Sequence, residues 1–242
     1  MACKNEVAGK FLKKLLISIN NYCKIFQKGV MCLIVLPREK PTKLDVLEAI
    51  VRRLPNTHTN YDYYNDLYIR TKSGYEGEQK VDKEWDELKI HKSYYLLHNL
   101  EFQNHQIDTL YICPHFILIL EIINISGRLD FEQTKHQFLR TRNDGVVEGF
   151  YNPIDQVLRH VRYIQSFNFK LPIEYAIVIS NSSTIIGNKP ANIPIYHASG
   201  LHHHIKLLTE KYSYNYSTKK LNEIVDTILH YHSPKKLDIS NR

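Results

Sequence analysis

Residues 106–124, which read QIDTLYICPHFILILEIIN, decide the fold of this 242-residue chain. Two runs rich in β-branched and aromatic residues are separated by a turn signal at Pro114, the pattern of a β-hairpin. If the turn is centred on the bond after Pro114, Asp108 lies directly opposite Glu121. Directly opposed residues share a face of the sheet, so the hairpin predicts two carboxylates that project side by side.

Two arrangements explain the opposed acids. Like charges placed side by side repel and destabilise a sheet, and a bound divalent cation would remove that repulsion. Alternatively, one acid lies at a strand end facing water, or a one-residue slip of register sends Asp108 and Glu121 to opposite faces. The hairpin pattern alone does not choose between a metal site and this second arrangement.

Several ordered motifs make the sequence similar to a known family. In chain order they are GYEGE at 74–78, QIDTL at 106–110, EIINISG at 121–127, NPIDQ at 152–156 and ISNSSTII at 179–186, with a looser match, PREKP, at 37–41. In these motifs the chain resembles the NERD (nuclease-related domain) family over roughly residues 75–186.

The resemblance implies both a fold and a chemistry. The expected fold is α/β, a restriction-endonuclease-like core of the PD-(D/E)xK type, with a central mixed β-sheet flanked by helices and with N- and C-terminal helical additions. The expected ligands of Mg²⁺ or Mn²⁺ are Asp108, Glu121 and the helix residue Glu78, and the expected reaction is phosphodiester cleavage. Gln156 would orient substrate or water.

One departure from the family pattern bears on activity. Where the pattern has Glu-x-Lys, this chain has Glu-Ile-Ile at 121–123, so Ile123 replaces the lysine that would assist the attacking water. An apolar side chain neither positions a water nor supplies charge, and such help is typically worth about 10²–10⁴ in rate. The conceivable substitutes are Lys135, Arg128 and Arg159.

Composition and charge indicate the class of partner. The chain is 43% hydrophobic and 24% charged, ordinary values for a globular protein, and its formal charge is +7 with a pI near 9.0. The positive excess favours an anionic partner such as DNA, without separating DNA from RNA, although many proteins with this charge bind neither. The four cysteines lack CxxC spacing, which predicts reduced thiols in a cytoplasmic compartment and no structural zinc site.

The chain is predicted to consist of an extension and one domain. Residues 1–35 are expected to form a basic, loosely ordered N-terminal extension. Residues 36–242 are expected to form a single globular domain, with the NERD-like core at about 73–200 and a C-terminal helix at about 219–232. The apolar patch at 11–17 is too short and interrupted to span a bilayer, so we expect no transmembrane segment. An amphipathic helix touching anionic lipid is the alternative for this patch.

Capping signals predict where the first helices begin. A capping box of Thr42 with Asp45 starts one helix. A second box, Ser73 with Glu76, starts another, and the Tyr-rich segment at 60–70 is also predicted to be helical.

The helix predicted after residue 73 carries one of the expected ligands. Glu78 shares a helix face with Val81 and Trp85, so its carboxylate lies on the side that docks on the sheet. Gly77 costs about 1 kcal/mol relative to alanine in a helix, which predicts a close approach to another backbone. The nearby acids are expected to form a solvated face: Asp82, Glu84, Asp86 and Glu87.

Asn152 as N-cap and Pro153 at the first helical position begin a long helix after the hairpin. Gln156 and His160 lie one turn apart beside its apolar stripe, so both are expected to border the site. Arg159 is placed to meet a phosphate, and Arg159 and His160 are the predicted substrate contacts.

The remaining chain supplies strands and surface helices. Strands are predicted at 93–100, 174–179 and 193–197, with a β excursion at 125–147 that turns at 143–145. The histidines at 202–204 are predicted to be surface residues, because successive helical residues point about 100° apart and cannot converge on one ion.

Two functions from different classes follow. The first is a Mg²⁺-dependent, nuclease-related phosphodiesterase acting on DNA, with weak or absent cleavage. The second is a catalytically inactive nucleic-acid-binding or protein-interaction module on the nuclease fold, for which Ile123 is the main argument.

Overall fold

The hairpin lies at the centre of a seven-stranded sheet in the computed structural model, which describes residues 24–27, 30–88, 94–102 and 105–234. Its strands are β1 (Lys24–Gln27), β2 (Val30–Leu36), β3 (Tyr94–Phe102), β4 (His105–Ile112), β5 (Ile117–Ile123), β9 (Ile173–Ile179) and β11 (Ile195–His197). They lie side by side in the order β1-β2-β3-β4-β5-β9-β11. β3, β4 and β5 run antiparallel to one another, whereas β2 joins β3, and β9 joins β5, in parallel. The sheet is therefore mixed, as expected.

Helices cover both faces of this sheet. Those in the described residues are α1 (Thr42–Arg53), α2 (Tyr61–Glu87), α3 (Pro153–Gln165), α4 (Leu201–Lys211) and α5 (Thr218–Tyr231). Alternate residues of β5 face opposite cores, because side chains in a strand alternate between faces. Ile119 packs in the core that contains α3 and α5, and Leu120 packs in the core that contains α2 and α4. The predicted α/β class, a mixed sheet flanked by helices, is confirmed.

The register of the hairpin is the one predicted from its turn signal. Ile112 lies across from Ile117, and Thr109 lies across from Leu120. The backbone N–H of residue 113 closes the turn by donating to the carbonyl of residue 116 at 3.1 Å. The two strand acids, Asp108 and Glu121, lie one position beyond the last backbone pair of this ladder.

A second, four-stranded sheet takes three strands from the chain between β5 and β9 and one strand that follows β9. Its strands are β6 (Arg128–Glu132), β7 (Gln137–Thr141), β8 (Val147–Tyr151) and β10 (Ile185–Ile186), in the order β10-β6-β7-β8. The predicted turn at 143–145 joins β7 to β8, and Gly145 has a φ of +84°, which glycine adopts without strain. The predicted β excursion is confirmed.

One predicted helix start is wrong, one is right in position but lacks its capping box, and one is confirmed with its cap. Pro41 precedes α1 and no side chain caps that helix, so the predicted box of Thr42 with Asp45 does not form. The predicted box of Ser73 with Glu76 lies inside α2, which runs unbroken from the Tyr-rich segment, because packing on the sheet outweighs a local start signal. At α3, the Asn152 side chain accepts a hydrogen bond of 3.0 Å from the N–H of residue 154 and Pro153 is the first residue.

The chain ends differ in part from the expectation. Residues 24–27 and 30–35, which we expected in a loosely ordered extension, belong to β1 and β2 of the main sheet. Residues 1–23, with the apolar patch at 11–17, lie outside the described residues, as do residue 93 of the first predicted strand and the tail after residue 234. A search of the described helices finds no segment with the length and hydropathy that a bilayer crossing requires.

Candidate active site

Asp108 and Glu121 lie where β4 and β5 separate after their last backbone pair. Asp108 Oδ2 accepts a hydrogen bond of 2.8 Å from the backbone N–H of Ile122, on the strand that carries Glu121. Glu121 is only 7% exposed, and its Oε1 accepts a hydrogen bond of 2.6 Å from Gln156 Nε2 on α3. Among the described residues its other oxygen, Oε2, has no hydrogen-bond partner. A buried carboxylate oxygen is therefore left unsatisfied beside a second acid.

The electrostatics link these two acids to Glu78 on α2. Burial, and next the charge of Asp108, raise the pKa of Glu78 to about 7. Burial raises the pKa of Asp108 to about 6, although the hydrogen bond from Ile122 opposes the rise. Burial and the charges of Asp108 and Glu78 raise the pKa of Glu121 well above its ordinary value. The structure thus brings the three predicted acids into one electrostatic cluster.

Gly77 allows α2 to come close enough to the main sheet for Glu78 to join the two strand acids. A Cβ at that position would clash with the Cβ of Asn124 and would lie 2.6 Å from Ser180 Oγ. Both residues directly follow strands of the main sheet, β5 and β9. The close approach predicted at Gly77 is confirmed, although the nearest atoms belong to side chains and not to a backbone as expected. It brings the adjacent Glu78 toward the end of β5.

A buried arginine that we did not single out in the sequence binds the helix acid. Arg38 lies between β2 and α1, and its side chain is 3% exposed. It donates to a carboxylate oxygen of Glu78, and to both oxygens of Asp82, with Nε 2.7 Å from Oδ2 and Nη2 3.1 Å from Oδ1. Its other acceptors are Asn99 Oδ1, His98 Nδ1, the Asp108 carbonyl and Thr109 Oγ1. The guanidinium therefore ties α2 to β3 and β4 beside Asp108.

Asp82 corrects a sequence prediction. We placed it on a solvated face with Glu84, but its side chain is only 25% exposed and pairs with Arg38. The available signal was the loose family match at 37–41, which includes Arg38. The motif does not indicate which residues Arg38 binds, because Glu78 and Asp82 lie at least 40 residues further along the chain.

Helix α3 supplies the other wall of the site. His160 is 4% exposed, and its Nε2 lies 3.8 Å from Glu121 Oε2. Its Nδ1 lies 3.2 Å from Nδ1 of His105, whose ring stacks on Tyr163 with the ring centroids 4.6 Å apart. Burial lowers the pKa of His160 to about 4, so the ring is neutral at pH 7. The structure thus places this predicted substrate contact in the interior, against Glu121.

Of the three cations considered as substitutes for the missing lysine, Arg159 is the one whose charge acts on Glu121. Arg159 is exposed on α3, and its charge opposes the burial that raises the pKa of Glu121. Arg128 instead pairs with Asp130 at 3.1 Å in the smaller sheet, and Lys135 is exposed in the turn between β6 and β7. Ile123, at the lysine position itself, is 7% exposed and packs in the core beneath α3.

The side chains present fit a divalent cation held mainly by the strand acids. Carboxylate oxygens are the ligands that Mg²⁺ and Mn²⁺ prefer, and Glu121 offers one that is buried and without a partner in the described part of the chain. Glu78 is already bound by Arg38, and within the described ranges no three His, Cys, Asp or Glu side chains are placed to hold an ion together. The fit is to an ion that takes two protein carboxylates and completes its shell with water, a common arrangement for Mg²⁺.

The fold and the acids define a protein of the nuclease-like α/β class. Residues 73–180 match the model of the NERD family, the nuclease-related domain. Comparisons with curated proteins and with solved structures gave no match. The predicted family is confirmed, and the function that it indicates is nuclease-related.

Proposed function

We propose that this protein is a divalent-metal-dependent phosphodiesterase that acts on DNA, with Mg²⁺ or Mn²⁺ as cofactor and with weak cleavage. The observation that carries the proposal is the position of Glu121, buried beside Asp108 with one oxygen unpartnered in the described structure. An isolated buried carboxylate next to another acid is costly, and a cation between them offsets that cost. Perturbed acids of this kind concentrate at functional sites.

Each residue near the cluster has a distinct role in this proposal. Asp108 and Glu121 would hold the ion, which would supply positive charge to the scissile phosphate and activate the attacking water. Gln156 fixes the orientation of Glu121 through its hydrogen bond to Oε1. Glu78, with one oxygen bound by Arg38, is better placed to orient a water than to bind the ion directly.

Charge and exposure support a nucleic-acid substrate, and DNA is the one proposed. Arg159 is exposed beside the acids, and its guanidinium suits a phosphate oxygen pair. The formal charge of +7 supports a polyanionic partner.

Cys113 is buried within the sheet region, which agrees with a reducing, cytoplasmic compartment.

A cleavage assay with an isosteric pair of variants tests the proposal. Labelled single- and double-stranded DNA are incubated with Mn²⁺ and the wild type, Glu121→Gln, or the control Glu223→Gln, whose side chain is exposed on α5. We expect slow, chelator-sensitive cleavage by the wild type and the control, and a loss of about 100-fold or more in Glu121→Gln. Equal rates in all three proteins, or cleavage that survives the chelator, would contradict the proposal.

Ile123 favours a second candidate, a nucleic-acid-binding module that does not cleave. The lysine position is apolar and buried in the core, so it supplies no charge to a substrate. Fluorescence anisotropy separates the two candidates. DNA binding that does not depend on Mn²⁺, with no cleavage at any Mn²⁺ concentration, would select the binding module.

A further inference from the structure

The gap between His160 and Glu121 contains two buried atoms that face each other without a hydrogen bond. His160 Nε2 and Glu121 Oε2 are 3.8 Å apart, and within the described chain neither has a hydrogen-bond partner. Both side chains are more than nine-tenths buried, so bulk water does not satisfy them freely. Leaving two such polar atoms unpaired in the interior costs free energy, which calls for an explanation.

The distance suits a metal ion better than a direct contact. A hydrogen bond between nitrogen and oxygen is about 2.7–3.2 Å long, shorter than the observed separation. Two ligand atoms that each lie about 2.1 Å from one ion can be separated by up to roughly 4.2 Å. The observed separation of 3.8 Å falls within that limit, so both atoms could be ligands of one ion.

The surroundings of His160 hold the ring in the form that binds metal. Its Nδ1 is 3.2 Å from Nδ1 of His105, so one of these nitrogens donates to the other. When His160 is the donor, its Nε2 carries the lone pair and points at Glu121. Metal-binding histidines usually donate their second ring N–H in this way, and His105 is itself held by stacking on Tyr163.

We propose that His160 is a metal ligand together with Glu121, and that the site therefore binds first-row transition-metal ions such as Co²⁺ or Mn²⁺ through one imidazole nitrogen. Mg²⁺, which prefers oxygen, would use the carboxylates without His160. This proposal deepens the proposed function and rests on it, since both use Glu121. It gives His160 a role other than a contact to substrate, which its burial prevents.

Titration calorimetry of Co²⁺ and of Mg²⁺ tests the assignment on the full chain. The variants are His160→Gln, Glu121→Gln and the control His204→Gln. His204 is a suitable control because its Nε2 is also buried without a hydrogen-bond partner in the described structure, but it lies on α4, where its ring is tilted against that of Tyr196. The control also reports any ion bound by the histidines at 202–204.

We expect His160→Gln to weaken Co²⁺ binding about 10- to 100-fold and to leave Mg²⁺ binding within about twofold. Glu121→Gln should weaken both ions, and His204→Gln should change neither at this site. If His160→Gln binds Co²⁺ as tightly as the wild type while Glu121→Gln does not, the histidine assignment is wrong and the metal site stands. If Glu121→Gln also binds both ions normally, the proposed function fails as well.

A measurement on the wild type removes any dependence on folding of the variant. Electron spin-echo spectroscopy of the Mn²⁺-loaded protein detects the nitrogen nucleus of a coordinated imidazole. We expect nitrogen modulation from the ion that Glu121→Gln releases. Its absence from that ion would overturn the proposal.

Discussion

Arg38 and Asp82 form a two-bond ion pair, with Nε and Nη2 of the arginine donating to the two carboxylate oxygens at 2.7 and 3.1 Å. The pair joins the segment before α1 to the C-terminal third of α2, 44 residues further along the chain. Although burial lowers it, the hydrogen bond to Asp82 and the nearby acids raise the pKa of Arg38 above its usual value. The same guanidinium holds Glu78 and the Asp108 carbonyl, so it positions two of the three site acids.

Replacing Arg38 by methionine should destabilise the protein by about 3 kcal/mol or more, because Asp82 and Glu78 then lose their buried counter-charge. Urea denaturation measures the free energy of unfolding. Arg52→Met on α1 is the control, since that side chain is exposed, and we expect it to change stability by less than about 0.5 kcal/mol. Similar losses in the two variants would show that the Arg38 network contributes little.

Gly77→Ala should lower stability by about 1–3 kcal/mol, because the added methyl group meets Asn124 and Ser180. Gly74→Ala, one turn earlier on the same helix, has no atom within 4 Å of the added Cβ and should gain about 0.5–1 kcal/mol. Thermal denaturation of both variants gives the comparison. A gain in both would mean that α2 does not approach the sheet closely.

A divalent cation should raise the melting temperature of the wild type, since it binds the folded state and relieves repulsion between the acids. At about 100 times the Kd the gain is about 2.7 kcal/mol, or roughly 5–10 °C for a chain of this size. Asp108→Asn should remove most of this rise, whereas Asp66→Asn, an exposed position on α2, should keep it. Calorimetry with and without Mn²⁺ measures the shifts, and an equal rise in all three proteins would place the ion elsewhere.

The metal-free protein should show a pH dependence set by the raised pKa of Asp108. In the folded state this carboxyl releases its proton near pH 6, rather than at its ordinary value of 3.8, because it is buried. The fold favours the protonated form, so the wild type loses stability as the pH rises from about 4 to about 6. The amide introduced by Asp108→Asn cannot ionise, so this variant should gain on the wild type over that window, by an amount on the order of 1–3 kcal/mol.

Denaturation in chelator at pH 4, 5, 6 and 7 checks this difference between variant and wild type. The difference between variant and wild type is needed because two buried histidines have the opposite effect on stability. Burial lowers the pKa values of His98 and His160 to about 4, so their protonation destabilises both proteins as the pH falls. A difference that stays constant, or shrinks as the pH rises, would show that Asp108 ionises freely in the fold.

Ile123→Lys should create or increase Mn²⁺-dependent DNA cleavage at least about 10-fold, since the new ammonium would lie on the same strand face as Glu121. The substitution should also lower stability, because Ile123 is 7% exposed in the core. In the control Ile123→Met, the new side chain is unbranched like lysine but carries no charge, so the activity should stay at the wild-type level. The double variant Ile123→Lys with Glu121→Ala should also show only wild-type activity. A folded Ile123→Lys protein that is no more active than Ile123→Met would show that the lost lysine is not what limits cleavage.

The sequence by itself determined the features that local chemistry specifies. The turn at Pro114 fixes the register of β4 with β5, and Asn152 with Pro153 starts α3, because each signal acts within a few residues. Gly77 indicated a close contact, since a glycine inside a helix has a cost that packing must offset. The family motifs then supplied the α/β core and its three acids.

Only the tertiary structure decided which charges meet. Asp82 belongs to an acidic run that a helix normally turns toward water, but it is partly shielded and pairs with Arg38, which arrives from a segment 44 residues away. Helical spacing indicated that His160 borders the site, but only the packing of α3 on β5 placed its ring in the interior beside Glu121. Ion pairs and buried contacts between distant segments depend on where whole elements pack, and sequence spacing carries no direct record of that arrangement.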